Sequence, residues 1–205
     1  MWSRLKGMNH SGKLVIISGP SGSGKSTVVK RLLSESELPL VLSVSVTTRP
    51  PRNGEENGRE YVFLTDEAFQ TKRKFGEFLE CKEVFGRGYW YGTLRNVVST
   101  GLNEGKWVLL EIDVQGALAV LQDYPQAITI FVHPGSMAEL ESRLRNRGTD
   151  SPESIQRRLD VAAEELELRH HYSHEVINDE INTTVQQLCK LLAQYQGEKV
   201  PCSKN

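Results

Sequence analysis

The sequence predicts an α/β fold, a parallel sheet core flanked by helices. Short apolar runs alternate along the chain with stretches that are apolar at helical spacing, the pattern of a parallel sheet covered on both faces. The first run, Leu14-Val15-Ile16-Ile17, leads into Gly19-Pro20-Ser21-Gly22-Ser23-Gly24-Lys25-Ser26 and then into an amphipathic stretch from Thr27. Strand, glycine loop and helix are therefore contiguous at the start of the fold.

The remaining elements follow in order. The first helix is expected to end near Ser36, and Leu40–Ser45 reads as a short strand. Prolines, glycines and asparagines between Thr47 and Gly58 forbid regular structure there. Tyr61–Phe63 resumes as a strand, and Thr65-Asp66-Glu67 starts a helix. Glu77–Cys81 and Val84-Phe85 read as paired short strands turned by Gly86-Arg87-Gly88, with Tyr89–Gly92 following. Residues 46–91 thus form a small β-rich insert. Helix 94–103, strand 107–113, helix 114–122 and strand 127–132 restore the alternation. Ser136-Met137-Ala138-Glu139 is a capping box opening a helix that carries Arg143, Arg145 and Arg147. After Gly148, a helix runs from Asp150 to about Tyr172, then come a strand at 175–178 and a closing helix at 182–194. His170, His171 and His174 lack cysteine or paired-acid partners and read as caps of a helix C-terminus.

GPSGSGKS fits the P-loop pattern G-x-x-x-x-G-K-[ST] in its required context. Such a loop curls its N–H groups around a phosphate, and the helix behind it adds its N-terminal dipole. Lys25 is the point charge for the outer phosphates, and Ser26 supplies a hydroxyl to Mg²⁺. The loop therefore predicts a nucleoside triphosphate. It leaves the acceptor of the phosphate open. In open α/β sheets ligands lie at strand carboxyl ends, so the loop, the 43–52 stretch, Asp113 and Asn178 should converge.

Composition narrows the setting. Lys+Arg 25 against Asp+Glu 26 leaves a net charge of −1, which gives no general attraction to nucleic acid or an anionic membrane. Cys81, Cys189 and Cys202 are too scattered for a disulfide framework or a zinc site, and a reducing cytoplasm fits. No apolar run reaches membrane-spanning length. Residues 1–12 lack the apolar core of a signal peptide and read as a mobile extension in which either Met1 or Met8 can be the start. Residues 196–205 read as a polar tail.

A second phosphate site is written in SVSVTTRPPRNGEENGREYVF, residues 43–63. Arg49 and Arg52 sit in a proline-stiffened loop with Tyr61 just beyond. Two guanidiniums and a phenol suit a phosphate monoester, and a stiff loop lowers the ordering cost of binding.

With EFLE, YWYGT, LLEIDVQGA, RLRNRGTDSPESIQRRL and VIND added in order, the chain from about 13 to 195 resembles the guanylate kinases. The resemblance implies the fold of a P-loop nucleoside monophosphate kinase, with a GMP-binding insert at about 46–91 and a helical LID at about 143–158. It implies transfer of a phosphoryl group from ATP to GMP, and to dGMP, with Mg²⁺. Residues Gly19 to Thr27 and Asn178 would then bind ATP, Asn178 at the adenine. Arg49, Arg52, Tyr61 and Tyr91 would hold the GMP phosphate. Ser45, Glu80, Thr93 and Asp113 would read guanine, and Arg143 would join the GMP site. Lys25, Arg52, Arg147 and Arg158 would be catalytic. A carboxylate accepting from guanine N1–H and N2–H₂ discriminates against adenine, which fits Glu80. Val46 and Trp90 depart from the family pattern without touching a named ligand.

The resemblance implies no obligate protein partner, nucleic acid or membrane. Two other readings are a nucleotide-inactive guanylate-kinase-like interaction module and a related kinase of a ribose-bisphosphate. Intact Lys25 and Ser26 argue against the first, and the TTRPPRNGEENGREY loop with Glu80 against the second.

Overall fold

The computed structural model describes residues 12–84, 88–146 and 151–196. In chain order the elements are β1 (Lys13–Ser18), α1 (Lys25–Glu35), β2 (Leu40–Leu42), β3 (Val46–Thr47), β4 (Val62–Phe63), α2 (Asp66–Lys74), β5 (Phe78–Val84), β6 (Tyr89–Leu94) and α3 (Arg95–Asn103). They continue as β7 (Trp107–Glu111), α4 (Val114–Asp123), β8 (Ile128–His133), α5 (Met137–Asn146), α6 (Pro152–Glu167), β9 (His174–Ile177) and α7 (Ile181–Gln194).

The main sheet has the order β2-β7-β1-β8-β9, all parallel. Its central strand explains the continuous apolar run. Leu14 and Ile16 face a cluster with Val98, Val114, Ala117, Val120 and Phe131. Val15 and Ile17 face the opposite cluster with Val28, Leu32, Leu188 and Leu192. Both faces of β1 are covered, so every position between Lys13 and Ser18, its two ends, is apolar.

The second sheet has the order β4-β3-β6-β5 and its own small core. Phe69 stacks on Phe78 with centroids 4.4 Å apart, and Val46 is fully buried beside them. Trp90 packs on Phe69 and carries the Arg73 guanidinium 4.3 Å above its ring. Val46 and Trp90 are thus packing residues of this sheet.

The expected strand 40–45 is divided between the sheets. β2 ends at Leu42, although Ser43 N–H still donates to Leu109 O (2.9 Å). Ser45 O already accepts from Val62 N–H (2.9 Å). Local apolar pattern does not reveal the crossing because both halves are extended. The expected paired strands at 77–85 are one strand, β5, antiparallel to β6 with an irregularity between Phe78 and Glu80. Residues 85–87 of the expected turn lie outside the described residues. The long helix after Gly148 stops at Glu167, and a 3₁₀ turn, Leu168–His171, follows. There His170 Nδ1 lies 2.7 Å from Glu167 O, a C-terminal cap; among the described residues no metal-binding cluster occurs. Nor is any described helix long and apolar enough to cross a membrane.

α5 and α6 form a helical pair over the carboxyl end of the main sheet. Leu140 and Leu144 pack against Ile155, Leu159 and Ala162. The cap expected at Ser136 is present, its Oγ accepting from Glu139 N–H (3.1 Å).

Leu32, fully buried in the cluster shared by α1 and α7, gives a direct test of this core. Leu32→Ala should lower stability by about 2–5 kcal/mol. In urea unfolding the midpoint should fall with the slope unchanged.

Candidate active site

The phosphate loop follows β1, and three of its glycines have positive φ: Gly19 (137°), Gly22 (98°) and Gly24 (90°). At Gly24 a β-carbon would also come within 2.5 Å of Asn178 Nδ2. The loop's carbonyls are tied down. Lys25 Nζ donates to Gly19 O (2.6 Å) and Pro20 O (2.9 Å). The Asn178 amide donates to Ser23 O (2.8 Å), and Asn178 N–H donates to His133 O (2.8 Å). With carbonyls held outward, the loop's N–H groups and the N-terminus of α1 are left to face an anion. Ser26 Oγ donates to Glu111 Oε1 at 2.5 Å, so the loop hydroxyl already meets the acid that ends the neighbouring strand β7.

Opposite the loop, the second sheet supplies a cationic and phenolic group. Arg49 is buried, and each nitrogen of its guanidinium has a partner: Nε donates to Tyr91 OH (3.1 Å), Nη1 to Pro50 O (2.7 Å) and Nη2 to Glu55 Oε1 (2.9 Å). Its hydrogen bond holds the Glu55 carboxyl below the usual range. Tyr61 lies beneath the guanidinium at 5.4 Å and edge-on to Tyr91 at 5.6 Å. Since Tyr91 OH accepts from Arg49, its own proton remains available to donate. Glu55 Oε2 accepts from Arg52 N–H (2.7 Å), which fixes the loop while the Arg52 side chain stays exposed.

Beside this group lies a carboxylate pair. Glu80 Oε1 accepts from the buried Thr93 hydroxyl (2.7 Å). Asp113 caps α4, its Oδ1 accepting from Gly116 N–H (2.7 Å), and its Oδ2 lies 3.0 Å from Lys82 Nζ. Burial pushes the Glu80 carboxyl up to about 7; Thr93 and Lys82 oppose the rise and Asp113 adds to it. Gly116 is tightly placed, because a β-carbon there would sit 3.1 Å from Glu80 Oε2.

Both ends open into one cleft of about 540 Å³, lined by Gly19, Ser21 and Lys25 at one end and Tyr61, Glu80 and Tyr91 at the other. α6 forms its third wall. Its Ile155–Leu159–Ala162 stripe packs on α5, while Arg158, Val161, Glu165 and Leu168 turn toward the cleft. Burial pushes the Glu165 carboxyl up to about 7 as well, with the charge of Lys25 pulling against it.

The structure brings together Lys25, Ser26, Ser45, Tyr61, Glu80, Tyr91, Asp113 and Arg158, with Thr93 behind Glu80 and Arg49 behind Tyr91. Arg143 and Asn178 stand elsewhere. Arg143, assigned to the GMP site from sequence, reaches instead toward Ser23 O in the phosphate loop (3.5 Å) and is paired with Glu139 (2.7 Å). The Asn178 amide is buried against Ser23 O. Arg147 lies outside the described residues. The sequence reading missed Glu111, Lys82 and Glu165. Each had a signal. Glu111 ends an apolar strand that pairs with β1, Lys82 lies two residues from Glu80 on one strand face, and Glu165 lies two helical turns from Arg158.

The guanylate kinase family model matches residues 11–195. A guanylate kinase of Rhodopirellula baltica is 57% identical over 197 residues, covering 96% of this chain and 94% of that one. One of Porphyromonas gingivalis is 46% identical over 184 residues, covering 89% and 97%. The crystal structure of guanylate kinase from Anaplasma phagocytophilum has a TM-score of 0.75 to this chain at 32% identity, covering 93% of this chain and 89% of that one. These matches run through both sheets and the helical pair above the cleft, and the chain belongs to the guanylate kinase family.

Proposed function

We infer that the protein transfers the terminal phosphoryl group of ATP to GMP, giving ADP and GDP. One observation supports this above the others: a single cleft has a phosphate loop at one end and a buried base-reading carboxylate beside an arginine–tyrosine group at the other. The triphosphate lies along Gly19 to Thr27, with Lys25 turning from its loop carbonyls to the outer phosphates. The GMP phosphate takes Tyr91, Tyr61, Arg49 and Arg52, and Ser45, Glu80, Thr93 and Asp113 read the base.

The cation expected is Mg²⁺. The donor set fits a hard ion, because the Ser26 hydroxyl and the Glu111 carboxylate that holds it are both oxygen donors at the end of the loop. When bound, the ion neutralises charge on the phosphates. No general base is required, since a GMP phosphate oxygen is already an anionic nucleophile. The remaining work is positioning and charge stabilisation. Arg158, already facing the cleft on α6, and Arg147 supply it as the segment at about 143–158 closes and expels water. In this reading Arg143, 3.5 Å from Ser23 O, serves the triphosphate side. The reaction belongs to purine nucleotide metabolism and returns GMP to the diphosphate pool. The cytoplasm suits free Cys81 and Cys189.

With ATP and Mg²⁺, ADP release should depend on GMP and fall by about 10²-fold or more with AMP or CMP. Equal turnover with AMP would refute the assignment of Glu80. Chelating the metal with EDTA should stop turnover. Lys25→Ala and Arg52→Ala should each lower kcat by about 10²–10³-fold, and a variant with unchanged turnover leaves the catalytic set. The pH dependence follows from Glu80. Its ionised form accepts from guanine, so kcat/KM for GMP should rise with pH through about 7 and fall as the carboxyl protonates below that.

A further inference from the structure

Lys82 is the charge at the base-reading end of the cleft that the reading above leaves without a role. It follows Glu80 by two residues on β5, so both side chains leave the same face of the strand. Its ammonium lies 3.0 Å from Asp113 Oδ2, while Asp113 Oδ1 is held by Gly116 N–H at 2.7 Å. Glu80 has the same arrangement, one oxygen held by Thr93 and the other lying over Gly116. Two carboxylates thus share a pocket, each with one oxygen fixed by the scaffold. The groups around Glu80 are Thr93 from β6, Asp113 and Gly116 at the start of α4, and Lys82 from its own strand. Across the cleft, α6 adds Arg158, Glu164 and Glu165, Tyr61 and Tyr91 face it from the second sheet, and Glu111 and Lys25 stand at the phosphate end. Near the base, Lys82 is the cation set against this acidic wall.

We propose that Lys82 is a specificity-determining positioning residue, whose ammonium holds Asp113 in place beside Glu80 and favours the carboxylate form of Glu80 as acceptor for guanine N1–H and N2–H₂. The proposal rests on the reading of Glu80 as a base reader. A like charge beside a carboxylate disfavours its ionised form, and an opposite charge favours it. Glu80 already titrates near neutrality because it is buried, so loss of the cation moves its protonation further up the working range. A protonated carboxyl presents one O–H and one C=O. That set pairs with adenine N1 and N6–H₂ and not with the two donors of guanine. Lys82 therefore governs the pH at which guanine selectivity is lost.

The experiment is a pair of pH profiles, from about pH 6 to about pH 9, of kcat/KM for GMP and for AMP in wild type, Lys82→Met, Lys82→Arg and Glu80→Gln. The rise of kcat/KM for GMP should move to higher pH in Lys82→Met. The loss should be about three- to tenfold near pH 6.5 and shrink as the pH rises, an effect limited by the exposure of the lysine. The GMP-to-AMP preference should narrow over the same range, KM for ATP should not move, and Lys82→Arg should restore the wild-type profile. A Lys82→Met profile superimposable on wild type, with Glu80→Gln still impaired for GMP, overturns the role of Lys82 while leaving the base reader standing. A Glu80→Gln variant as active on GMP as wild type at every pH removes the base reader and this proposal with it.

Discussion

A loop that binds phosphate through its own amides must keep those amides turned inward before phosphate arrives. Peptide groups are rigid, so the direction of each N–H is set by where its neighbouring carbonyl points. Here the carbonyls are pinned by one side chain from the loop's own end and one from a distant strand end. Lys25 takes those of Gly19 and Pro20, and Asn178 takes that of Ser23. Asn178 is in turn fixed through its own N–H to the end of β8. The sheet order β2-β7-β1-β8-β9 acquires its purpose from this arrangement. It stations the ends of β7, β8 and β9 around the loop that leaves β1, so that Glu111, His133 and Asn178 all reach it or its supports.

The acceptor end is built on a different principle. The phosphate loop uses backbone dipoles in a rigid turn, whereas the wall proposed to read the base uses polar and ionisable side chains brought in from several elements. Glu80 comes from β5, Thr93 from β6, Asp113 from the cap of α4 and Glu165 from α6. Such a wall is selective because it is partly desolvated, and desolvation makes it sensitive to protons. Backbone amides carry no proton equilibrium in this range. The two ends of one cleft therefore respond differently to acid, the donor end being nearly indifferent and the acceptor end not.

Much of this architecture was legible in the sequence, for identifiable reasons. β1, the loop and α1 are specified by adjacent residues, and the caps at Ser136 and Thr65 are local as well. The pairing of Tyr61 and Tyr91 beside Arg49 was not local, and it was reached through the resemblance. What could not be read depended on tertiary partition. The extended segment 40–47 serves two sheets, and nothing in its own pattern marks the transfer at Ser43–Ser45. The approach of Arg143 to Ser23 O was not legible because a helix-surface arginine has no signature of the neighbour it leans on. α6 conceals its second face for a related reason. Its packing stripe is apolar and conspicuous, whereas the face toward the cleft mixes Arg158, Val161 and Glu165 and looks like solvent-exposed helix.

β2 and β7 are hydrogen-bonded neighbours, with Leu40 opposite Trp107 and Leu42 opposite Leu109. Everything between them, the second sheet and α3 included, is topologically one long excursion between adjacent strands. Its ends are clamped by the main sheet, and its apolar centre at Val46, Phe69 and Phe78 is separate from the main core. The entropy of closing such an excursion grows only with the logarithm of its length, about 0.6 kcal/mol for each doubling. Residues can therefore be gained or lost in its surface loops, away from Leu79 and Val98 in the main core, at little thermodynamic penalty to the phosphate loop. The fold separates a part whose geometry is fixed by its ligand's phosphates from a part that can be rewritten for a different acceptor.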